Sequence, residues 1–283
     1  MSHLRNLFHK STGPEPHAGP VSTVAVAESG SAPAKAVADT AAHPFPEFAV
    51  EEAHVGPENR LVYFSDPRSP AADRYRLLRM RIKEQSRTGK LKKILVTGAL
   101  AHDGKSTVVL NLATALAERG KRNVLVVEAD LHHASLSVGL RLKPWCGLTE
   151  CLADDTTPPL SAIRRIEPLG WYLLPSGEPR RNPTELLQTP AFGQIMEKVS
   201  PYFDWILIDS PPVIPLTDSL SLHNHADASL LVVRAGQTPR EAVEHTIELL
   251  GKKNVLGVVL NGVEARNHLY YQYHEYNRRD PEE

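Results

Sequence analysis

Six short apolar runs recur along this chain: KKILVTG, NVLVVEAD, GWYLLPSG, DWILIDSPP, ASLLVVRAG and VLGVVLNGV. They constrain the fold more than any other feature. A strand that is wet on one face alternates apolar and polar residues, and these runs are apolar almost throughout, so both faces must be covered. Helical sequence separates them. Dense apolar runs alternating with helices predict an α/β fold: a mostly parallel, twisted sheet with helices on both faces.

Before the first run, SDPRSPAADRYRLLRMRIKEQ reads as a helix. Ser69 stands at the N-cap and Pro70 at the first helical position. Tyr75, Leu78 and Ile82 form its apolar stripe. Further on, RNPTELL opens another helix, with Asn182 as cap, Pro183 in the first turn and Glu185 placed to close a capping box. Residues 11–49 are rich in Pro, Ala, Gly, Ser and His, with little periodicity. Such a stretch cannot bury enough apolar surface to offset its ordering entropy. The expected organisation is therefore a disordered segment at 1–59, a phosphate-binding domain at 60–265 whose helix lies within 60–90, and a mobile tail at 266–283.

The formal charge of −1 leaves no nucleic-acid footprint. Cys146 and Cys151 have neither zinc-ligand spacing nor a disulfide framework around them, which suits a reducing cytoplasm. No run approaches the roughly 20 apolar residues of a membrane span.

The chemistry starts at ALAHDGKST, residues 99–107, which leaves a strand and opens a helix. That is the context of a phosphate-binding loop. Backbone N–H groups from Ala101, His102, Asp103, Gly104, Lys105, Ser106 and Thr107 would cradle the phosphates of ATP, because a helix N-terminus favours anions. The Lys105 ammonium would reach the β- and γ-phosphates, and the Ser106 hydroxyl would ligate Mg²⁺. Ala99 occupies the usual first glycine, which an alanine can fill if its φ is negative. Asp209 ends a buried strand, where a Mg²⁺-organising carboxylate belongs. Glu128 and Asp130, two apart past another strand, would point the same way. One could act as general base while the other orders the metal's waters. The adjacent His132 and His133, without further ligands, read as a polar loop.

Through these motifs the chain resembles the bacterial protein-tyrosine kinases of capsule and exopolysaccharide export. The likeness runs from about residue 65 to the C-terminus through DPRSPAADRYRLLR, ALAHDGKST, VVEADLHHASL, GLTECLADD, LLPSGEPRRNPTELL, DWILIDSPPVIPLTDS, LVVRAGQT and VVLNGV. The resemblance implies that Lys105 and Ser106 contact phosphate and Mg²⁺, that Asp209 organises Mg²⁺, and that Asn261 contacts the base. Glu128 and Asp130 fall on a D-x-D pair whose first member activates the tyrosine hydroxyl. Asp73, Arg76 and Arg79 match a motif for ring-like self-association, in which one subunit's tail enters its neighbour's site. The tail HLYYQYHEYNRR holds four of the chain's eight tyrosines, Tyr270, Tyr271, Tyr273 and Tyr276, and matches the family's autophosphorylation substrate. The resemblance also implies a cytoplasmic kinase recruited to the inner face of the membrane by a membrane-spanning chain-length-determining adaptor, supplied as a separate chain.

Three positions depart from the pattern. Glu128 replaces an aspartate, His132 an arginine, and Asp73 a glutamate. A shift near 1 Å at a base costs on the order of 10²-fold in rate. Two other readings follow. One is a nucleotide-binding scaffold without catalysis. The other is an ATPase switch of the partitioning or division-site type, which would carry a lysine where this loop has Leu100.

Overall fold

The computed structural model describes residues 44–89, 91–215 and 218–263. The four tail tyrosines and the first 43 residues lie outside them. The described residues form one eight-stranded sheet in the order β1-β4-β5-β3-β6-β2-β7-β8. The strands are β1 (Ala49–Glu52), β2 (Lys93–Gly98), β3 (Val124–Glu128), β4 (Arg164–Glu167), β5 (Trp171–Leu174), β6 (Trp205–Asp209), β7 (Ala228–Arg234) and β8 (Val255–Asn261). The six expected strands are all present and mutually parallel. Only β4 runs antiparallel to its neighbour β5, and β1 pairs parallel to β4.

The helices are α1 (Val62–Ser65), α2 (Pro70–Gln85), α3 (Lys105–Ala117), α4 (Ser135–Gly139), α5 (Leu148–Ala153), α6 (Pro183–Leu187), α7 (Ala191–Val199), α8 (Asp218–His223) and α9 (Arg240–Leu250). Two large cores, one on each sheet face, explain the continuous apolar runs. Ile94, Val96, Val124, Val126, Trp171 and Leu173 pack with α2 and α3. Their neighbours Leu95, Leu125, Val127, Tyr172 and Leu174 pack with α5 and α7 on the other face. Successive strand residues point to opposite faces, so each central strand serves both cores.

In α2, Ser69 caps as expected, its Oγ accepting from Ala72 N at 3.2 Å. Tyr75, Leu78 and Ile82 are its buried stripe. At α6, Asn182 stands at the N-cap but makes no cap bond. Its amide donates to Glu185 Oε2 at 2.9 Å, so the expected capping box does not form.

Order starts earlier than the composition suggests, which corrects the 1–59 boundary. Phe45 and Phe48 pack against Tyr172 and Phe203 with ring centroids 5.1–6.0 Å apart. This aromatic cluster anchors the chain just before β1. Arg164 then pairs with Glu51 at 2.8 Å. After β1, Asn111 of α3 accepts from Tyr63 N and donates to Arg60 O, both at 3.0 Å, seating α1 on the domain.

Candidate active site

Strands β3, β6 and β2 are adjacent, and their carboxyl ends carry the predicted site. Asp209 lies beside Val96 on one side and Glu128 on the other. This edge of an open α/β sheet is where ligands bind, because the loops and helix N-termini gather there.

The loop from Gly98 to Ser106 is held from within. Asp103 is buried, accepting from Leu100 N at 2.9 Å and from Thr238 Oγ1 at 2.5 Å. Gly98 ends β2 where a Cβ would come within 2.9 Å of Asp103 Oδ2. Gly104 has φ +89°, and a Cβ there would lie 2.0 Å from Asn261 Nδ2. That amide donates to Asp103 O at 2.9 Å. Only glycine satisfies both the left-handed backbone and the close approach. Ala99 is not among the residues with positive φ, so its methyl is accommodated as expected, whereas His102 adopts φ +65°.

Lys105, 7% exposed, begins α3. Ser106 Oγ donates to Asp209 Oδ2 at 3.0 Å and lies 2.6 Å from Ser135 Oγ. Asp209 is 1% exposed, and its other oxygen, Oδ1, is buried without a hydrogen-bond partner. Burial pushes the Asp209 carboxyl up to about 8. The Lys105 charge and the Ser106 hydroxyl pull it down, while Glu128 and Asp130 push it up. An orphaned carboxylate oxygen beside a serine hydroxyl, in an excess of negative charge, suits a hard divalent cation. Among the described residues no three or more His, Cys, Asp or Glu form a cage for a metal. Mg²⁺ at this position would complete its shell with water and phosphate oxygens, as it does in phosphoryl-transfer sites.

The two carboxylates at the end of β3 and just past it differ. Glu128 is fully buried. Its Oε1 accepts from Leu136 N at 2.8 Å and Ser137 N at 3.1 Å, at the start of α4. Its Oε2 accepts from Ser137 Oγ at 2.8 Å and Ser176 N at 3.1 Å. Asp130, 9% exposed, accepts from His133 N at 3.1 Å through Oδ1. His132 Nε2 lies 2.8 Å from Oδ2 of the fully buried Asp218, tying the loop after β3 to α8.

Of the predicted residues, Lys105, Ser106, Asp209, Glu128 and Asp130 gather at this edge, and Asn261 braces the loop through its amide while its buried Oδ1 has no hydrogen-bond partner. Asp73, Arg76 and Arg79 lie elsewhere, on α2. Arg76 pairs with Asp73 and donates to Pro67 O. Arg79 donates to Ala115 O at 3.2 Å. Sequence reasoning missed Ser135, Ser137, Ser176, Thr238 and Asp218. The only local signal was the hydroxyl-rich ASLS run just after the acidic pair.

The AAA domain family model matches residues 92–254, more than half of the chain. Tyrosine-protein kinase CpsD of Streptococcus agalactiae is 32% identical over 197 residues, which is 68% of this chain and 85% of that protein. The chain belongs to the bacterial tyrosine-protein kinases. Tyrosine-protein kinase YwqD of Bacillus subtilis is 29% identical over 219 residues, 77% of this chain and 92% of that one. The kinase domain of Escherichia coli tyrosine kinase ETK superposes with a TM-score of 0.69 at 26% identity, covering 73% of this chain and 81% of that domain. Some relatives are much longer: the chain spans 29% of the succinoglycan biosynthesis transport protein ExoP of Rhizobium meliloti. Among the described residues no helix is long and apolar enough to cross a membrane.

Proposed function

We propose that the chain is an ATP-dependent tyrosine autokinase. It phosphorylates Tyr270, Tyr271, Tyr273 and Tyr276 of a second copy and thereby regulates capsule or exopolysaccharide polymerisation and export. One observation carries the reading: Ser106 Oγ sits 3.0 Å from the buried Asp209 carboxylate at the mouth of a phosphate loop, with Asp130 two residues past the end of the adjoining strand β3.

Loop N–H groups and Lys105 would hold the β- and γ-phosphates of ATP. Ser106 and Asp209 would hold Mg²⁺, which when bound offsets charge on the phosphate oxygens. The buried Asn261 Oδ1, without a partner, suits the exocyclic amine of the base. Tyrosine, with an unperturbed pKa near 10, needs its proton accepted before it attacks well. We assign that proton to Asp130 rather than Glu128. A carboxylate already accepting four hydrogen bonds has little capacity left for a tyrosine proton. Asp130 takes the phenolic proton, the phenolic oxygen bonds to the γ-phosphorus, and the bond to the β-phosphate oxygen breaks, releasing ADP. Catalysis comes from positioning and charge, as in other phosphoryl transfers.

Self-association through Asp73, Arg76 and Arg79 would bring one tail to its neighbour's site. A separate membrane-spanning adaptor would recruit the kinase to the inner face of the membrane. Glu128 also motivates a second reading, a nucleotide-binding scaffold without catalysis, since the position expected to supply the base is committed to structure.

The test is incubation with Mg·ATP followed by phosphotyrosine detection. Signal in the unaltered chain is expected, lost in Lys105→Met and in the variant with all four tail tyrosines changed to Phe. Nucleotide binding without turnover would favour the scaffold. Turnover without phosphotyrosine would favour the ATPase switch.

A further inference from the structure

A groove of about 630 Å³ opens at the far end of α3 from the phosphate loop. Thirteen residues of helix separate the two, about 20 Å. Arg76, Arg79, Arg119, Lys121 and Arg165 line it, against two carboxylates, Glu118 and Glu167. Both acids are already engaged, Glu118 with Lys83 and Glu167 with Arg165. Arg119 and Lys121 are exposed, and among the described residues neither has a salt-bridge partner. Tyr63 and Phe64 add aromatic wall, with the Arg76 guanidinium 5.5 Å from the centre of the Tyr63 ring.

We propose that this groove docks the chain's own C-terminal segment, residues 268–279, once its tyrosines are phosphorylated and the self-association that uses Arg76 and Arg79 has come apart. The proposal rests on the kinase reading for the source of the phosphates. Cations beside aromatic rings are what a phosphotyrosine side chain requires: charge-assisted hydrogen bonds for the phosphate and apolar contact for the ring. Each phosphate adds roughly −1.5 to −2 charges at pH 7, so the modified segment complements the groove while the unmodified one has little to offer it. The four tyrosines lie 7–13 residues past Val263, so an extended chain carries them about 23–47 Å, against the about 20 Å length of α3. The active site, with Glu128, Asp130 and Asp209 close together, repels the same product, so phosphorylation would move the tail from the neighbour's active site to the groove at the far end of its own α3.

The experiment uses a fluorescent synthetic peptide of residues 264–283, with and without phosphate on Tyr270, Tyr271, Tyr273 and Tyr276, titrated with the full chain. Anisotropy should show at least tenfold tighter binding of the phosphopeptide. Arg119→Asn with Lys121→Glu should lose at least tenfold of that affinity while leaving the circular dichroism spectrum unchanged. Asn suits the positive φ of 60° at position 119. Excess Mg·ADP, which fills the nucleotide site without phosphorylating the chain's own tail, should not displace the peptide. Equal binding of the two peptides, unchanged binding by the double variant, or displacement by Mg·ADP would each overturn the proposal. Because the phosphates are synthetic, these outcomes are independent of autophosphorylation, whose absence would instead remove the kinase reading.

Discussion

At its amino end α3 places Lys105 and Ser106 among Asp209, Glu128 and Asp130. At its carboxyl end it borders a groove lined by five cations and two carboxylates, in which Arg119 and Lys121 have no salt-bridge partner among the described residues. The first site is buried and acid-rich, so it accepts a phosphate group only with a compensating cation. The second is exposed and base-rich, so it needs none. Anion binding at the first should depend on Mg²⁺ and pH and little on salt. At the second it should depend chiefly on salt, because exposed charges are screened within about 8 Å at physiological ionic strength.

The strongest way to break this contrast is within the acid-rich end itself. Asp130→Asn should lower the phosphotyrosine rate by about 10²–10⁴-fold, the usual worth of a general base, with little change in melting temperature. Glu128→Gln should do the reverse. A glutamine amide would turn N–H groups toward Leu136 N, Ser137 N or Ser176 N, leaving buried donors facing donors, at a cost of about 3 kcal/mol in denaturant unfolding. If Glu128→Gln keeps its stability and loses only rate, Glu128 is the base.

Gly104→Ala should cost about 2 kcal/mol in stability, since it forces a Cβ into the left-handed region and onto the Asn261 amide. Nucleotide affinity, read by calorimetry, should fall with it.

A pH dependence sharpens the electrostatic half of the comparison. Asp209 sits near 3.8 unfolded and is pushed up to about 8 by burial in the fold. The native state therefore holds the proton more tightly. Its contribution to stability is complete below about pH 4 and is lost progressively as pH rises toward 8. Melting scans in chelator should show this decline, and Asp209→Asn should flatten it. A wild-type curve without it would mean that burial does not hold the Asp209 proton in the fold.

The parts that were legible in the sequence share one property: they are local. The central strands were readable because each must be apolar on both faces, and the phosphate loop because GKST sits between a strand and a helix. Strands β1 and β4 were not readable. Their sequences, AVEE and RRIE, are short and half-polar, and what holds β1 is an aromatic cluster joining Phe45 and Phe48 to Tyr172 and Phe203. The acidic pair shows the same limit inside the site. Two carboxylates two residues apart look equivalent on paper. Only Leu136, Ser137 and Ser176, 8, 9 and 48 residues away, make one of them a structural hub, whereas the other accepts from the backbone of His133.

The most direct test is the initial rate of phosphate incorporation into residues 264–283, followed by mass spectrometry in Mg·ATP for the unaltered chain and for Asp130→Asn. Phosphate on the four tyrosines in the first, and at least a hundredfold slower incorporation in the second at equal nucleotide affinity, is the result predicted. Equal rates in both, or phosphate on neither, would contradict an active site built around Asp130.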